Sequence, residues 1–396
     1  MFFRGRTHLP LADRGPLRVM FITTFMPVGG AETLLTDLVR RLDRTRFIPE
    51  LCCLKHLGPL GEVLAQEVPT FTGLLSNKYD VRVLPRLTGL LKERQIDAIV
   101  TVGAGDRMFW GRLAAAAAGV PVVLCALHST GWPDKIQRLN RMLTRLTDAF
   151  IGVADRHGRF LVDNEGFPPE KVRVIPNGID INRFAPRPID PALRARWNVG
   201  PNDPTAGIVA ALRPEKNHDL FLEMAQRVLP TNPQAKFLIV GDGAERARLE
   251  EKARELGVTG AVRFCGNQSD IPTMLSLMDV SLLTSHVEAA PVSILEAMAC
   301  GKPVVSTRVG SVSEMALHGE TGWLVQPGDV NDLAKRVTEL FRDPAMSQRF
   351  GETGRRRVVE KYSVELMVKG YEELLTEVYA SKATSAPRSQ RELVGA

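Results

Sequence analysis

Two glutamates flank a predicted helix start in the second half of the chain. Glu288 follows the predicted strand Val280–Thr284, and Glu296 lies more than one turn inside the helix that Pro291 opens. Carboxylates accept hydrogen bonds from hydroxyl groups, so the pair could bind a sugar and a ribose on either side of a diphosphate. Two glutamates at this spacing are also common as solvent-exposed charges.

The start of the same helix could bind the phosphates themselves. The amides of Val292, Ser293 and Ile294 are predicted to be free of helical partners and to point out of the helix start. Such amides, together with the helix dipole, bind phosphate groups.

A basic turn follows the first predicted strand of the second half. Arg213 offers a guanidinium fork for phosphate oxygens, and Lys216 offers a point charge. A leaving diphosphate needs such charge where the sequence shows no acidic pair for a divalent ion, so we predict neither a metal nor a cofactor. The alternative is a solvated turn that caps the next helix.

Glycines at strand ends mark further loops. Gly241 and Gly243 begin like a dinucleotide-binding fingerprint, but Arg246 replaces the third glycine, so NAD binding is not favoured. We expect them to shape the floor of a crevice near the nucleotide.

The first half has two candidates of its own. Gly29 and Gly30 follow the first strand and would let backbone amides approach a ligand closely, although a plain tight turn is the alternative. His128 ends the predicted strand Pro121–Leu127, where a side chain faces the ligand crevice of a parallel sheet; a lone histidine is as often structural.

Short β-branched runs alternate with amphipathic stretches and predict parallel sheets covered on both faces. The predicted strands are Leu17–Thr23, Arg46–Leu54, Val81–Leu84, Asp97–Val102, Pro121–Leu127, Ala149–Val153, Val172–Ile175, Ala206–Leu212, Lys236–Val240, Val262–Cys265, Val280–Thr284, Pro303–Thr307 and Trp323–Val325.

Prolines and glycines between the two series predict a domain boundary. The predicted order is an N-terminal extension (1–16), an N-terminal Rossmann-like domain (17–185), a linker (186–204), a C-terminal Rossmann-like domain (205–363), a last helix (364–380) and a disordered tail (381–396). Ligands of such sheets bind at the carboxyl ends of the strands, so two facing domains would form a cleft.

Composition excludes several classes of protein. The 396 residues carry a net charge of +6 with 44% hydrophobic residues, which suits a globular protein but does not by itself indicate nucleic acid binding. The five cysteines lack metal-ligand spacing and predict reduced, buried thiols. The N-terminus has no signal-peptide pattern, and no apolar run is long enough to cross a bilayer, so we expect a cytoplasmic protein.

Together these residues resemble the retaining GT-B glycosyltransferases of family 4, also described as glycosyl transferases group 1. The residues that carry the resemblance are Gly29-Gly30, His128, Asn177-Gly178-Ile179-Asp180, Arg213 with Lys216, Gly241 with Gly243, and Glu288 with Glu296. The resemblance implies a GT-B fold with an interdomain cleft, and a last helix that packs back on the N-terminal domain. The chain departs from the family at Ala289 and Asn217, where glycine is common.

The resemblance also implies roles. Glu288 would contact the hydroxyls of the donor sugar and Glu296 the ribose, while Arg213 and Lys216 would stabilise the diphosphate. Gly30 would lie against the phosphates and His128 would bind the transferred sugar; Gly29, Asn177, Gly241, Gly243, Gly266, Val292, Ser293 and Ile294 complete the predicted donor-binding set.

The implied activity is metal-independent, retaining transfer of a hexose-type sugar from a nucleotide diphosphate, UDP by preference, to a sugar or lipid-linked acceptor. Polysaccharide, lipid-linked oligosaccharide or glycolipid synthesis is the expected use. A nucleotide-sugar epimerase and a non-catalytic scaffold of the same fold are the alternatives.

One segment could contact an anionic membrane. In Trp132–Phe150, basic residues recur at helical spacing with apolar residues between them: Lys135, Arg138, Arg141 and Arg145, with Leu139, Met142 and Leu146. A solvated face over a core stripe is the alternative.

Overall fold

Short buried runs of β-branched residues form two parallel sheets in the computed structural model, which describes residues 10, 14–77, 79–129 and 141–384. The chain divides into two units, Met1–Asn177 with Glu365–Ala396, and Gly178–Val364. The division falls before the predicted linker of residues 186–204. That segment belongs to the second unit and contains a short helix, α6 (Pro191–Arg196).

The described part of the first unit contains a seven-stranded sheet in the order β3-β2-β1-β4-β5-β6-β7. The strands are β1 (Leu17–Thr23), β2 (Phe47–Cys53), β3 (Thr70–Thr72), β4 (Ala98–Val102), β5 (Val122–Ala126), β6 (Ala149–Gly152) and β7 (Val172–Val174). The helices are α1 (Gly30–Arg41), α2 (Pro59–Leu64), α3 (Val83–Glu93), α4 (Asp106–Ala118) and α5 (Asp155–Asp163), with 3₁₀ turns at Leu143–Leu146 and Pro169–Lys171.

The second unit contains a six-stranded parallel sheet in the order β10-β9-β8-β11-β12-β13. The strands are β8 (Thr205–Val209), β9 (Lys236–Val240), β10 (Val262–Gly266), β11 (Val280–Leu283), β12 (Val304–Thr307) and β13 (Gly322–Val325). The helices are α6, α7 (His218–Val228), α8 (Arg246–Glu255), α9 (Ile271–Ser276), α10 (Val292–Ala299), α11 (Val312–Met315), α12 (Val330–Arg342) and α13 (Pro344–Lys361), with a 3₁₀ turn at Pro214–Lys216.

Two elements of the first unit differ from the prediction. The predicted strand Val81–Leu84 was wrong, because Val83, Leu87 and Leu91 recur at helical spacing and form the buried face of α3. The three-residue strand β3 was not predicted, since so short a strand at the sheet edge leaves almost no alternating pattern.

The last helix, α14 (Val364–Thr384), extends past the predicted end at residue 380, so residues 381–384 of the predicted disordered tail are helical. Its residues from Glu365 onward belong to the first unit. Glu372 accepts a hydrogen bond from the Asp43 amide at 2.8 Å, and Lys382 forms an ion pair with Asp148 at 2.6 Å. The sequence periodicity located this helix, whereas the resemblance supplied its packing partner.

All five cysteines are buried and free, as predicted. Among the helices within the described residues, none combines the length and apolar character needed to cross a bilayer. Residues 132–140 of the predicted membrane-facing segment, including Lys135, Arg138 and Leu139, lie outside the described residues.

Candidate functional site

The loops that carry the strongest candidates follow neighbouring strands of the second sheet. β8 and β11 pair directly although two strands separate them in the chain, so the strand order reverses between them. Open parallel sheets bind ligands at the carboxyl ends of the strands at such a reversal. The basic turn with Lys216 follows β8, and the loop with Glu288 follows β11, so the fold brings them to one place.

Lys216 and Glu288 are in direct contact. The Lys216 Nζ lies 2.6 Å from the Glu288 Oε1, and the Ser285 hydroxyl donates to the same oxygen at 2.7 Å. Both charged side chains are largely buried, at 24% and 10% exposed. In the part of the chain that the structure describes, the Glu288 Oε2 accepts no hydrogen bond, so it can accept one from a ligand hydroxyl.

Backbone contacts hold the two loops together. The Thr284 hydroxyl donates to the Lys216 carbonyl at 3.0 Å, and the His286 amide donates to the Glu215 carbonyl at 2.9 Å. Ser285 is fully buried, and its own carbonyl accepts a bond from the Thr307 hydroxyl at 2.8 Å. These contacts therefore fix the position of Glu288. Ser285 is a site residue to which sequence analysis assigned no role.

A third loop supports this arrangement from β12. Gly310 has a φ of 49°, and a Cβ at this position would lie 2.6 Å from the Glu288 carbonyl carbon. The Ser311 amide donates to the Ala289 carbonyl at 3.0 Å. A glycine is needed here because the backbones of Gly310 and Glu288 touch. The signal in the sequence was a glycine three residues after a strand, and sequence analysis did not use it.

The helix start differs in detail from the prediction. α10 begins at Val292, with Pro291 as the residue before its first turn. The Ile294 amide donates to the Pro291 carbonyl at 3.3 Å, so the prediction that all three amides are free was wrong for Ile294. The amides of Val292 and Ser293 stay the candidate phosphate donors, because the first turn of a helix provides them with no intrahelical acceptor.

Glu296 and Arg213 are placed differently from the central pair. Glu296 is half-buried within α10, in the helix that follows the Glu288 loop. The Arg213 side chain is 63% exposed and lies 4.0 Å from the Glu215 carboxylate. Arg213 is thus open to a ligand, whereas Lys216 is already paired.

The predicted glycine floor is a set of close backbone contacts. The Gly241 amide donates to the Gly266 carbonyl at 2.9 Å, joining the ends of β9 and β10. A Cβ on Gly241 or Gly243 would lie 2.8 or 2.9 Å from the carbonyl carbon of Ala210 or Leu212, respectively. Both glycines therefore bring their backbone against the loop after β8, next to the basic turn.

The structure explains one of the two departures from the family. Asn217 has φ and ψ of 50° and 54°, a left-handed conformation that glycine adopts without strain and asparagine tolerates. Ala289 is 6% exposed and has no positive φ, so nothing in its backbone demands a glycine.

In the first unit, Gly29 and Gly30 lie at the N-terminus of α1, where no side chain caps the helix. A Cβ on Gly29 would lie 2.6 Å from the Glu32 carboxylate. The predicted loop thus has a negative charge beside it. Asn177 is buried and is the last residue of this stretch of the first unit.

His128 lies directly after β5, as predicted, and its Nδ1 is buried without a hydrogen-bond partner. Burial, with smaller contributions from His157 and Arg107, lowers the pKa of His128 to about 4. The ring is therefore neutral near pH 7 and can donate or accept a hydrogen bond. Sequence analysis did not single out Arg107, which lies close enough for its charge to affect His128.

One cavity lies away from these loops. Its volume is about 370 Å³, and it is lined by residues before β8, β11 and β12, including Lys302 and Asp279. It therefore opens at the opposite edge of the second sheet from Lys216 and Glu288.

Within residues 10, 14–77, 79–129 and 141–384, no group of three or more histidine, cysteine or acidic residues could hold a metal ion.

The sequence matches known families on both sides of the domain boundary. Residues 190–357 match the family described as Glycosyl transferases group 1, and residues 28–183 match Glycosyltransferase Family 4. The chain is 31% identical over 250 residues to the lipopolysaccharide core biosynthesis glycosyltransferase LpsE of Rhizobium meliloti, covering 61% of this chain and 69% of that protein. The chain belongs to the group 1 glycosyltransferases. The predicted resemblance is confirmed.

Similarity extends over nearly the whole chain. The N-acetyl-alpha-D-glucosaminyl L-malate synthase of Bacillus anthracis is 26% identical over 370 residues, covering 90% of this chain and 96% of that protein. The crystal structure of Anabaena HepE in complex with UDP-glucose has a TM-score of 0.79 and 24% identity, covering 91% of this glycosyltransferase and all of the other chain. The two-domain GT-B fold is therefore confirmed.

Proposed function

We propose that this glycosyltransferase transfers a hexose from a UDP-sugar to a sugar or lipid-linked acceptor, with retention of anomeric configuration and without a metal ion. The observation that carries the proposal is the contact between Lys216 and Glu288 at the carboxyl ends of β8 and β11. It places one ammonium group and one carboxylate where a sheet of this kind binds its ligand.

The transfer step needs the positive charge of the ammonium group. The bond between the anomeric carbon and the β-phosphate oxygen breaks, and the acceptor oxygen bonds to that carbon on the same face. The acceptor proton passes to the leaving phosphate oxygen. Negative charge grows on the diphosphate in this step, so a nearby ammonium group lowers the barrier.

The remaining candidates would bind the donor. The free Oε2 of Glu288 can accept a hydrogen bond from a sugar hydroxyl, which fixes the sugar next to the ammonium group. The α10 amides of Val292 and Ser293 suit phosphate oxygens. Arg213, which is mostly exposed, can add its guanidinium when the diphosphate is bound.

The HepE complex with UDP-glucose supports a uridine nucleotide as the donor. The class of acceptor is less restricted than the donor. The name of the Bacillus anthracis relative includes L-malate, so a small acid is a second class of acceptor to test beside sugars. The acceptor is therefore tested separately from the donor.

A donor screen with the purified full chain tests the proposal. UDP-, GDP- and ADP-hexoses are each supplied with and without sugar acceptors, in EDTA, and nucleotide diphosphate release is measured. We expect release from a UDP-hexose in EDTA, and an NMR spectrum of the product with the anomeric configuration of the donor. Glu288→Gln, which keeps the shape and loses the charge, should lose most of this activity.

Three results would contradict the proposal. Conversion of the donor alone into another nucleotide sugar would identify an epimerase. Donor binding without release would identify a non-catalytic protein. Loss of turnover in EDTA, restored by Mg²⁺ or Mn²⁺, would show that Lys216 and Arg213 do not replace a metal.

A further inference from the structure

A guanidinium group without a carboxylate partner lies at the ligand-binding edge of the first sheet. Arg107 is the second residue of α4, shortly after β4 ends at Val102. β4 pairs with β1, and the strand order of the first sheet reverses between them. Arg107 therefore occupies, in the first unit, the kind of position at which open parallel sheets bind ligands.

The Arg107 side chain is half-buried, and no ion pair neutralises its charge within the described part of the chain. Its Nε is buried with no hydrogen-bond partner, and its Nη1 donates one long bond, 3.3 Å, to the Thr24 hydroxyl. Burial lowers its pKa, although the charges of Glu32 and Asp106 oppose this effect. Among the described residues, no carboxylate reaches ion-pair distance from Arg107. Buried charges in proteins are normally paired, so this group lacks the anion that would satisfy it.

The loop around the guanidinium is shaped to hold it. Gly103 has a φ of 91°, and a Cβ on it would lie 2.6 Å from the Arg107 Cζ. The guanidinium thus lies directly on the bare backbone of Gly103, where any side chain would displace it. Gly105, with a φ of 81°, opens α4, and the amides of this first turn are further donors for an anion at the same edge.

We propose that Arg107 binds an anionic group of the acceptor, a phosphate or a carboxylate. A guanidinium offers paired donors that match either group. The proposal rests on the proposed function, in which the second unit binds the donor diphosphate through Lys216, Arg213 and the start of α10. Arg107 belongs to the other unit, so its unfilled charge is assigned to the acceptor.

Binding of small anions tests the site without requiring turnover. Inorganic phosphate and malonate are titrated by calorimetry into the full chain saturated with UDP. We expect the wild type to bind at least one of the two, Arg107→Met to bind it at least tenfold more weakly, and Arg107→Lys to lie between them. The Kd for UDP should change less than twofold in both variants.

Arg40→Met is the matched control. Arg40 lies in the last turn of α1, is exposed, and pairs with Glu67 at 2.6 Å, so its replacement removes the same charge from the first unit far from Arg107 in the fold. Anion affinity should stay within twofold of the wild type. Circular dichroism and thermal unfolding establish that each variant is folded, and Arg107→Lys provides the comparison if Arg107→Met is not.

Turnover with paired acceptors extends the test. A neutral hexoside is compared with the same hexose carrying a phosphate or a carboxylate, and Arg107→Met should reduce the ratio of kcat/KM for the anionic over the neutral acceptor at least tenfold. The proposal is wrong if the wild type binds neither anion, or if Arg107→Met binds the anions as tightly as the wild type does. It is also wrong if Arg107→Met instead lowers the affinity for UDP. The first two outcomes are read from binding alone, so they are distinguishable from a failure of the proposed transfer reaction.

Discussion

The Lys216 Nζ and the Ser285 hydroxyl both donate to one oxygen of Glu288, at 2.6 and 2.7 Å. Sequence analysis assigned Lys216 to the diphosphate and Glu288 to the sugar, as separate groups. Their contact makes them one hydrogen-bonded unit, so a change in one alters the charge and position of the other. Kinetic effects of substitutions at the two positions should therefore not add.

Lys216→Ala should lower kcat far more than it weakens donor binding. The diphosphate gains negative charge as the glycosidic bond breaks, so the ammonium group acts mainly in the transition state. Removal of one such donor costs about 3 kcal/mol, or on the order of a hundredfold in kcat. Steady-state kinetics with varied donor concentration measures the effect.

Glu296→Ala is the comparison for Lys216→Ala. Glu296 is assigned to the ribose, which does not change in the reaction, so its loss should raise the donor KM with a smaller effect on kcat.

The double variant Lys216→Ala with Glu288→Gln should lose less transition-state stabilisation than the sum of the two single variants. A normal kcat with only a raised KM in Lys216→Ala would show a ground-state contact and would leave Arg213 as the catalytic charge.

Ser285→Ala should weaken donor binding without unfolding the protein. The Ser285 hydroxyl and the Lys216 ammonium group hold the same Glu288 oxygen, so loss of the hydroxyl leaves the carboxylate held by Lys216 alone among the described side chains and less firmly oriented towards the sugar. Loss of one such bond corresponds to about 1 kcal/mol, or about a fivefold rise in the donor Kd. Ser281→Ala, which changes a buried serine within β11, the strand before the Ser285 loop, is the control and should leave the Kd unchanged. Equal effects in the two variants would mean that Ser285 only packs.

Sequence analysis located the strands that carry the site but not the contacts between their loops. The periodicity indicated that Lys216 and Glu288 both follow strands, because buried strands read as short apolar runs. That β8 lies beside β11 is a property of strand order, which the local pattern does not encode. Without that order, the contact between the two side chains could not be derived from the residues.

The remaining misses have local causes. The four-residue run Val81–Leu84 is too short to distinguish a strand from the first turn of a helix. The apolar residues that indicate the helix α3, Leu87 and Leu91, lie beyond this run. Arg107 looks like any helix arginine in the sequence, because burial without a partner is visible only once the chain is folded. Gly310 was passed over for a similar reason, since its contact lies in a different loop.

Asn217 should tolerate glycine but not a β-branched residue. Its left-handed backbone costs most residues with a Cβ roughly 1–2 kcal/mol, and a β-branched side chain is strained most, whereas asparagine adopts this conformation routinely. Asn217→Gly should match the wild type in unfolding free energy, and Asn217→Val should lose about that amount in urea denaturation. Asn198 has a similar φ, 53°, in a loop without site residues, so Asn198→Val should destabilise the fold comparably and leave kcat unchanged. An unchanged kcat in Asn217→Val as well would show that this turn does not position Lys216.

Two buried histidines should make the protein sensitive to mild acid. Burial, followed by the charge of Lys216, lowers the pKa of His218 to about 4, and burial does the same for His157. The unfolded chain takes up a proton at each ring below about pH 6.5, whereas the folded chain does so only near pH 4. The unfolded state therefore binds more protons between these values, and the free energy of unfolding falls as the pH is lowered from 6.5 towards 4.

Urea denaturation at pH 7 and pH 5 measures this loss, which should be about 2 kcal/mol for each histidine. His218→Leu removes one titrating ring, and neither ring nitrogen of His218 has a hydrogen-bond partner to lose. The variant should therefore lose less stability than the wild type between the two pH values, whatever its stability at pH 7. His56→Leu, at an exposed position, should show the pH dependence of the wild type. If His218→Leu keeps the full pH dependence, protonation of this buried ring does not contribute to the acid sensitivity, and His157 is left as the candidate ring.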